Sequence, residues 1–419
     1  MLLVLLLTSL LSSSTATAAP LPHPRLILTD DRLAAVKQFI ATDSQAAGYF
    51  ARLALQGAQV LTTAPLPRPP ENATDILMAA RAVLSRVYIT SLLYRLTGNE
   101  SFGARAVKEL LSFTAWSDWD IVKHALDAGE LSHAAAVGLD WTYPVLARNG
   151  TALAAVVAGI VRNSGGAFRA AYAQGAWWTC DASNWAQVAN SGAGIAALAI
   201  EGEAGVPPWY ADILRNATRG ALCSAAGASE GAGGGYAPDG GWFEGPIYSG
   251  YALRYFIPFA SALATAKGDG SLLAVPGLAL APRFQVHQMD NRYLYFDWAD
   301  SGMAQETLAM LLGVAERAGD KAAAFTLRDR LDRAAIPLSA IDAGDQQAME
   351  YAHALLYFSP LGSPADRAAA PLDLALPVKK VALMRTSWAD ANASFAGFKG
   401  TFWWPCAPRK IHKHAPPPP

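Results

Sequence analysis

Cysteine is scarce in this chain: three among 419 residues, Cys180, Cys223 and Cys406, with no CxxC pair. That excludes a disulfide-framework scaffold and a zinc ribbon, and it allows one bridge at most, for instance Cys180 to Cys223, with one thiol left over. An excess of either charge is lacking too. Lys+Arg 33 against Asp+Glu 34 leaves a net charge of −1, so no global field recruits nucleic acid or an anionic membrane. No P-loop, dinucleotide fingerprint or HExxH occurs, and no fixed period supports a solenoid. The one long uncharged apolar run is at the start. There "MLLVLLLTSLLSSSTATAAP" joins Leu2 to Leu11 to a small-residue stretch with Ala16-Thr17-Ala18, which reads as a secretory signal peptide over 1–19. The run is too short to span a bilayer, so no membrane association is expected after cleavage.

Apolar side chains are plentiful. At 52% hydrophobic the chain can bury a large core. Five Asn-x-Ser/Thr sequons, at Asn72, Asn99, Asn149, Asn216 and Asn392, fit a secreted, extracellular glycoprotein, or a periplasmic protein if the source is bacterial. From Pro24 to about Leu356, Ala/Leu-rich segments of helical period alternate with short Gly/Pro/Asn breaks. Thr74 to Thr97 is one such helix, with Gly98 where a C-cap belongs. Others are expected over 102–114, 126–146, 152–173, 185–200, 210–225, 248–266, 302–318 and 322–335. Short connections imply antiparallel neighbours, and a closed ring of helical hairpins suits the pattern. The fold class expected is mainly α over 20–360. "LPVKKVALMRTSWADANASFAGFKG" then holds short Val-, Phe- and Trp-rich runs that read as the first strands of a β-region over 361–400. The last stretch, 401–419, has neither period and is expected to be irregular and disordered.

Several clusters can carry chemistry. In "YAPDGGWFEGPIYSGYALRY", Pro238-Asp239-Gly240-Gly241 is turn chemistry and Pro246 marks a helix start near Gly245. Tyr248, Tyr251 and Tyr255 then fall at i, i+3 and i+7 on one helical face, which by spacing alone favours an aromatic packing seam. In "TCDASNWAQVANSGAGIAALAI", Asp181 or Ser183 can cap a helix whose Asn184, Gln187 and Ser191 form a polar stripe, while Gly192, Ala193 and Gly194 permit close packing. His124, Asp127, Glu130 and His133 lie at three-residue steps and suit a polar groove edge better than a metal site. "NRYLYFDWADSG" mixes aromatic and acidic residues as sugar sites do, with Asp297 and Asp300 available.

Four stretches, "HPRLILTDDRLAAVK", "LDAGELSHAAAVGLDWTYPVL", "SNWAQVANSGAGIAALAI" with "PDGGWFEGPIYSGYALRY", and "LMRTSWADANASFAGFKG", occur in this order over almost the whole chain to Gly400. Together they resemble the heparinase II/III family of polysaccharide lyases. The resemblance implies an (α/α) toroid, incomplete here, followed by the start of an antiparallel β-sandwich. It implies cleavage of an acidic, uronate-containing polysaccharide by β-elimination, with no cofactor and no metal. The C5 proton of a uronate is poorly acidic beside a fully charged carboxylate, so a group bonded to that carboxylate must spread its charge. Asn184 matches the asparagine that does so. Tyr248, in "EGPIY", matches the tyrosine that acts as base and then protonates the leaving oxygen, with Tyr251 in reserve. A phenol's pKa of about 10 must be lowered for that work, or its proton relayed. Trp185 stands where several family members have a histidine. Trp185, Gln187, Glu244, Tyr251, His133 and Trp242 complete the expected substrate contacts.

After "FKG" the family continues with glycines, a His-x-His-x-Asp-like segment and many strands, whereas this chain turns into "TFWWPCAPRKIHKHAPPPP", in which His412 and His414 stand alone. The expectation is a tail from a shifted frame, an unspliced intron or a damaged gene, and little or no activity if it is genuine. Two other functions fit the residues. One is a glycoside hydrolase on a similar ring of helices, using Asp239 and Glu244. The other is a carbohydrate-binding remnant that has lost turnover.

Overall fold

A computed structural model describes residues 19–226, 235–236, 238–303 and 307–400. Residues 1–18, which hold most of the stretch expected to be a signal peptide, and the tail 401–419, with Cys406, His412 and His414, lie outside the described residues. The fold is mainly helical. Its helices are α1 Asp30–Thr42, α2 Ser44–Thr62, α3 Leu77–Thr97, α4 Glu100–Thr114, α5 Ala125–Trp141, α6 Tyr143–Leu146, α7 Gly150–Ile160, α8 Ala167–Ala173, α9 Asn184–Ile200, α10 Tyr210–Ala226, α11 Gly245–Lys267, α12 Ala281–His287, α13 Leu311–Ala318, α14 Lys321–Arg333, α15 Glu350–Leu356 and α16 Pro364–Ala368.

Local chemistry sets many of these bounds. Side chains of Thr29, Asp43, Asn99, Asn149 and Asp320 accept backbone N–H groups at the starts of α1, α2, α4, α7 and α14. Gly98 and Gly268, both left-handed, end α3 and α11. The helix expected near Gly245 begins there, with Pro246 in its first turn. The expected 152–173 helix is broken into α7, a π turn at Val161–Gly166, and α8. The stretch Gly150–Ala173 is long and apolar enough to cross a membrane by composition. It nevertheless carries Arg162 and Arg169, and Arg162 donates to the Thr114 carbonyl at 2.8 Å at the end of α4.

Four helices form an inner layer. α5 lies between α3 and α9, and α9 lies between α5 and α11. Every residue of α5 is buried, as is every residue of α9 except Trp185. By contrast α4 and α10, packed on α3 and α9, keep exposed faces. The closest approach is between α5 and α9. A Cβ at Gly129 would stand 2.8 Å from the Val188 carbonyl oxygen, and one at Gly192 would run into the Gly129 carbonyl. Only glycine fits at this crossing.

The inner helices run in the same direction, because their like ends share hydrogen bonds. At their C-terminal ends the segment His23–Leu28 seals the layer. Arg25 donates to the carbonyls of Ala199 and Glu201, both at 2.8 Å, placing a cation on the negative end of α9. Asp140 near the end of α5 accepts the N–H groups of Arg25 and Leu26 and bonds His23. Thr265 near the end of α11 donates to the Arg25 carbonyl at 2.8 Å. A disulfide joins Cys180 to Cys223, tying the approach to α9 to the outer helix α10.

The β-region is a three-stranded antiparallel sheet in the order β1 Leu374–Leu376, β2 Val381–Arg385, β3 Phe395–Lys399. Val381, Leu383 and Arg385 point inward on β2, as alternation requires. Arg385 docks the sheet on the helical body by donating to the carbonyls of His287 at 3.0 Å and Met289 at 2.9 Å.

Candidate active site

The N-terminal ends of the inner helices meet on the opposite face from the seal. The first N–H groups of a helix have no intrahelical acceptor and carry partial positive charge, so carboxylates gather there. Asp127, in the first turn of α5, accepts the Ile76 N–H at 2.8 Å where α3 begins. Ser183 sits at the N-cap of α9 but makes no side-chain cap bond. The cap comes instead from Glu244, at the start of α11. Its two oxygens accept the Asn184 backbone N–H at 2.7 Å and the Asn184 Nδ2 at 2.9 Å, and Trp242 Nε1 donates to it at 3.0 Å. Burial pushes the Glu244 carboxyl above its usual range, with the bonds from Asn184 and Trp242 opposing. The Asn184 amide therefore already holds a carboxylate, one from the protein itself.

Beside this pair lies an aromatic wall. Trp177 is 62% exposed, and its ring is 5.4 Å from that of the half-buried Trp185. Trp185 in turn meets the edge of His124, with ring centroids 4.7 Å apart. His124 Nδ1 is 2.6 Å from Asp127 Oδ1, and this hydrogen bond raises the imidazole's proton affinity above its ordinary value. Tyr248, in the first turn of α11, is half-buried and makes no side-chain hydrogen bond among the described residues.

Deeper between the inner helices the polar residues satisfy one another. Tyr251 donates to Glu130 Oε1 at 2.7 Å, and Arg81 Nε donates to the same oxygen at 3.2 Å. The Arg81 guanidinium also lies 4.9 Å from the centre of the Tyr251 ring. Burial works most strongly against the Arg81 charge, but Glu130, Tyr251 and Tyr255 together outweigh it and raise the guanidinium's proton affinity above its ordinary value. Burial first, and then the Glu130 charge, push Tyr251 and Tyr255 well above the ordinary phenol range. His133 Nε2 is 2.7 Å from the Tyr88 hydroxyl, and burial pushes this imidazole down to about 3, so it is neutral.

Of the residues expected at the site, Asn184 and Glu244 are joined by hydrogen bonds, Trp185 follows Asn184 in the first turn of α9, and Tyr248 lies in the first turn of α11 after Glu244. Four are placed elsewhere. His133 is no groove edge; it is 1% exposed and sits among Tyr88, Tyr255 and His353. Tyr251 is buried under Arg81. Gln187 faces α10, donating to the Ala221 carbonyl at 3.3 Å. Trp242 is fully buried and reaches the site only through Glu244. Asp239 spends both oxygens on backbone, one on Gly241 N–H and the other on Val378 N–H, each at 3.2 Å. The Asp297 stretch lines a cavity of about 680 Å³ with Phe296, Asn392 and Phe395. Its loop is tied to the first turn of α11 by Ser301, which accepts the Ile247 N–H at 3.1 Å.

Sequence reasoning missed Arg81 and Trp177. Arg81 had no local signal, because nothing in α3 tells which arginine points at a carboxylate on another helix. The His124–Asp127 pair was legible as an i, i+3 contact. Among the described residues no group of three or more His, Cys, Asp or Glu side chains is placed to hold a metal ion. Neither the protein-family models nor the curated proteins compared with the chain give a match.

Proposed function

We propose that this protein is a secreted polysaccharide lyase that cleaves a uronate-containing polymer by β-elimination. One observation carries the reading: Asn184 and the first N–H of α9 grip a carboxylate at a helix N-terminus, next to an aromatic wall of Trp185 and Trp177. This is the donor set a uronate carboxylate needs if its charge is to be spread while C5 loses a proton. The second hydrogen of Asn184 Nδ2 remains to bind it. Tyr248 supplies a proton to the leaving glycosidic oxygen. The parallel inner helices with outer helices against them fit an (α/α) toroid, and the three-stranded sheet fits the start of a β-sandwich. A chain of sugars would cross the face from Trp177 and Trp185 toward the cavity at Phe296 and Asp297.

The disulfide and the exposed sequons Asn72, Asn99, Asn149 and Asn392 support an extracellular setting. The hydrolase alternative loses support because Asp239 is committed to backbone. A carbohydrate-binding role without turnover keeps the support of the exposed Trp177.

The test is ultraviolet detection of the unsaturated product from alginate, heparan sulfate and a glucuronan. Product that disappears in Asn184→Ala is expected. Binding of a polymer without product would favour the non-catalytic role, and reducing ends without a double bond would favour hydrolysis.

A further inference from the structure

A lyase of this kind needs a group that accepts the C5 proton, and the phenols on this face are poorly equipped for it. Tyr251 and Tyr255 are buried beside the Glu130 carboxylate, which opposes a second negative charge. Tyr248 has no hydrogen-bond partner among the described residues to hold it as a phenolate. Glu244 already accepts three hydrogen bonds.

His124 has the arrangement of a base. Asp127 Oδ2 is fixed by the Ile76 N–H, and its Oδ1 binds His124 Nδ1. The carboxylate therefore sets the tautomer: Nδ1 carries the hydrogen and Nε2 keeps its lone pair. The imidazole is 20% exposed, and its ring meets Trp185, the residue directly after Asn184. The charged groups acting on it are Asp127 and Glu130 from α5 and Asp75 from the segment before α3, all of which favour proton uptake. The face presented by α9 is the uncharged Trp185.

We propose that His124, oriented by Asp127, is the catalytic base that takes the C5 proton, an assignment that rests on the lyase reading. The C5–H electron pair becomes the C4=C5 double bond. The C4–O4 bond breaks with its electrons on oxygen, which takes the Tyr248 proton. The proton on His124 then passes through solvent to the Tyr248 phenolate, so no oxidant, reductant or water is consumed. Several members of the resembled family carry a histidine where this chain has Trp185; here the histidine comes from the start of α5 and packs against that tryptophan.

The experiment compares the full chain with His124→Gln, His124→Ala and Asp127→Asn on whichever uronate polymer yields unsaturated product. His124→Gln should lower kcat about a thousandfold with KM changed by less than about threefold. The acidic limb of the wild-type kcat/KM profile, which falls as pH drops through the His124 pKa, should vanish in His124→Gln. It should move to lower pH in Asp127→Asn, which removes the carboxylate that raises that pKa. Exogenous imidazole should restore turnover to His124→Ala, a rescue that a merely structural role would not allow. Wild-type product with an unchanged kcat in His124→Gln, or with the acidic limb retained, overturns the assignment and leaves the lyase reading standing. Absence of product from every polymer with the wild-type chain overturns both.

Discussion

The two ends of the inner helical layer differ in how their polar groups are used. At the C-terminal end Arg25, Asp140 and Thr265 answer backbone groups of His23–Leu28 and of the helix ends, and the segment covers them. At the N-terminal end the Asn184 Oδ1 and Ser249 Oγ are buried with no hydrogen-bond partner among the described residues, while Trp177 stands exposed. Buried polar atoms are nearly always paired in a folded protein, yet Arg25 Nε and His23 Nε2 at the sealed end also lack a hydrogen-bond partner among the described residues. What separates the ends, the comparison teaches, is that the fold closes one with a covering segment and leaves an aromatic side chain, Trp177, exposed at the other.

Substitutions at the two ends should therefore separate activity from stability. The largest effect is expected for Tyr248→Phe, which should cut kcat a thousandfold or more, about 4 kcal/mol of barrier, while the melting temperature stays within a few degrees. A stability loss comparable to the activity loss would break the comparison. At the sealed end, Asp140→Ala should cost about 3 kcal/mol in denaturant unfolding, because it strips the acceptor from the buried N–H groups of Arg25 and Leu26 and from His23. The folded fraction should keep its kcat. Between the ends, Gly192→Ala should cost about 1–3 kcal/mol by forcing α9 away from α5. Because the crossing lies near the site end, it should also raise KM, which steady-state kinetics would reveal.

The smallest expected effect concerns acid. His133 is lowered from the ordinary 6.5 to about 3 in the folded state, so its contribution is present above pH 6.5 and is lost as pH falls toward about 3. In that window the unfolded chain binds a proton that the folded chain refuses, worth about 1.4 kcal/mol per pH unit. Unfolding measured at pH 7 and pH 5 should show His133→Gln with a shallower loss than the wild type. Equal slopes would mean that His133 is not the neutral, dry group described here.

Local signals in the sequence locate several helix boundaries, although α1, α2, α12 and α15 are not singled out and the helix expected over 302–318 begins only at Leu311. Gly98, Gly245 with Pro246, and the run from Asn184 to Ile200 all mark real boundaries. Asn184 and Glu244, named separately from the sequence, are joined by hydrogen bonds. Periodicity, however, reports which face a residue occupies and not how far along the axis it lies. His124, Asp127, Glu130 and His133 lie at three-residue steps, but His133 is turned about half a circle from His124 and, at about 1.5 Å per residue, lies roughly 13 Å deeper. The same reasoning separates Tyr248 at the mouth from Tyr255, which is fully buried. What lay beyond reach was pairing over long separations. Glu244 caps a helix that begins 60 residues earlier, and Arg81 meets Glu130 across 49. No local pattern announces such partners.

The seal at the C-terminal end also constrains the order of assembly during synthesis. Arg25 emerges among the first residues, yet its carbonyl partners on Ala199 and Glu201 lie 174 and 176 positions later, and Thr265 lies 240 later. At roughly 5–20 residues per second, the segment waits on the order of ten seconds or more before its docking surface exists. The early helices must meanwhile stand without their closing strap, so their exposed apolar faces are the part of this protein that a chaperone would meet first.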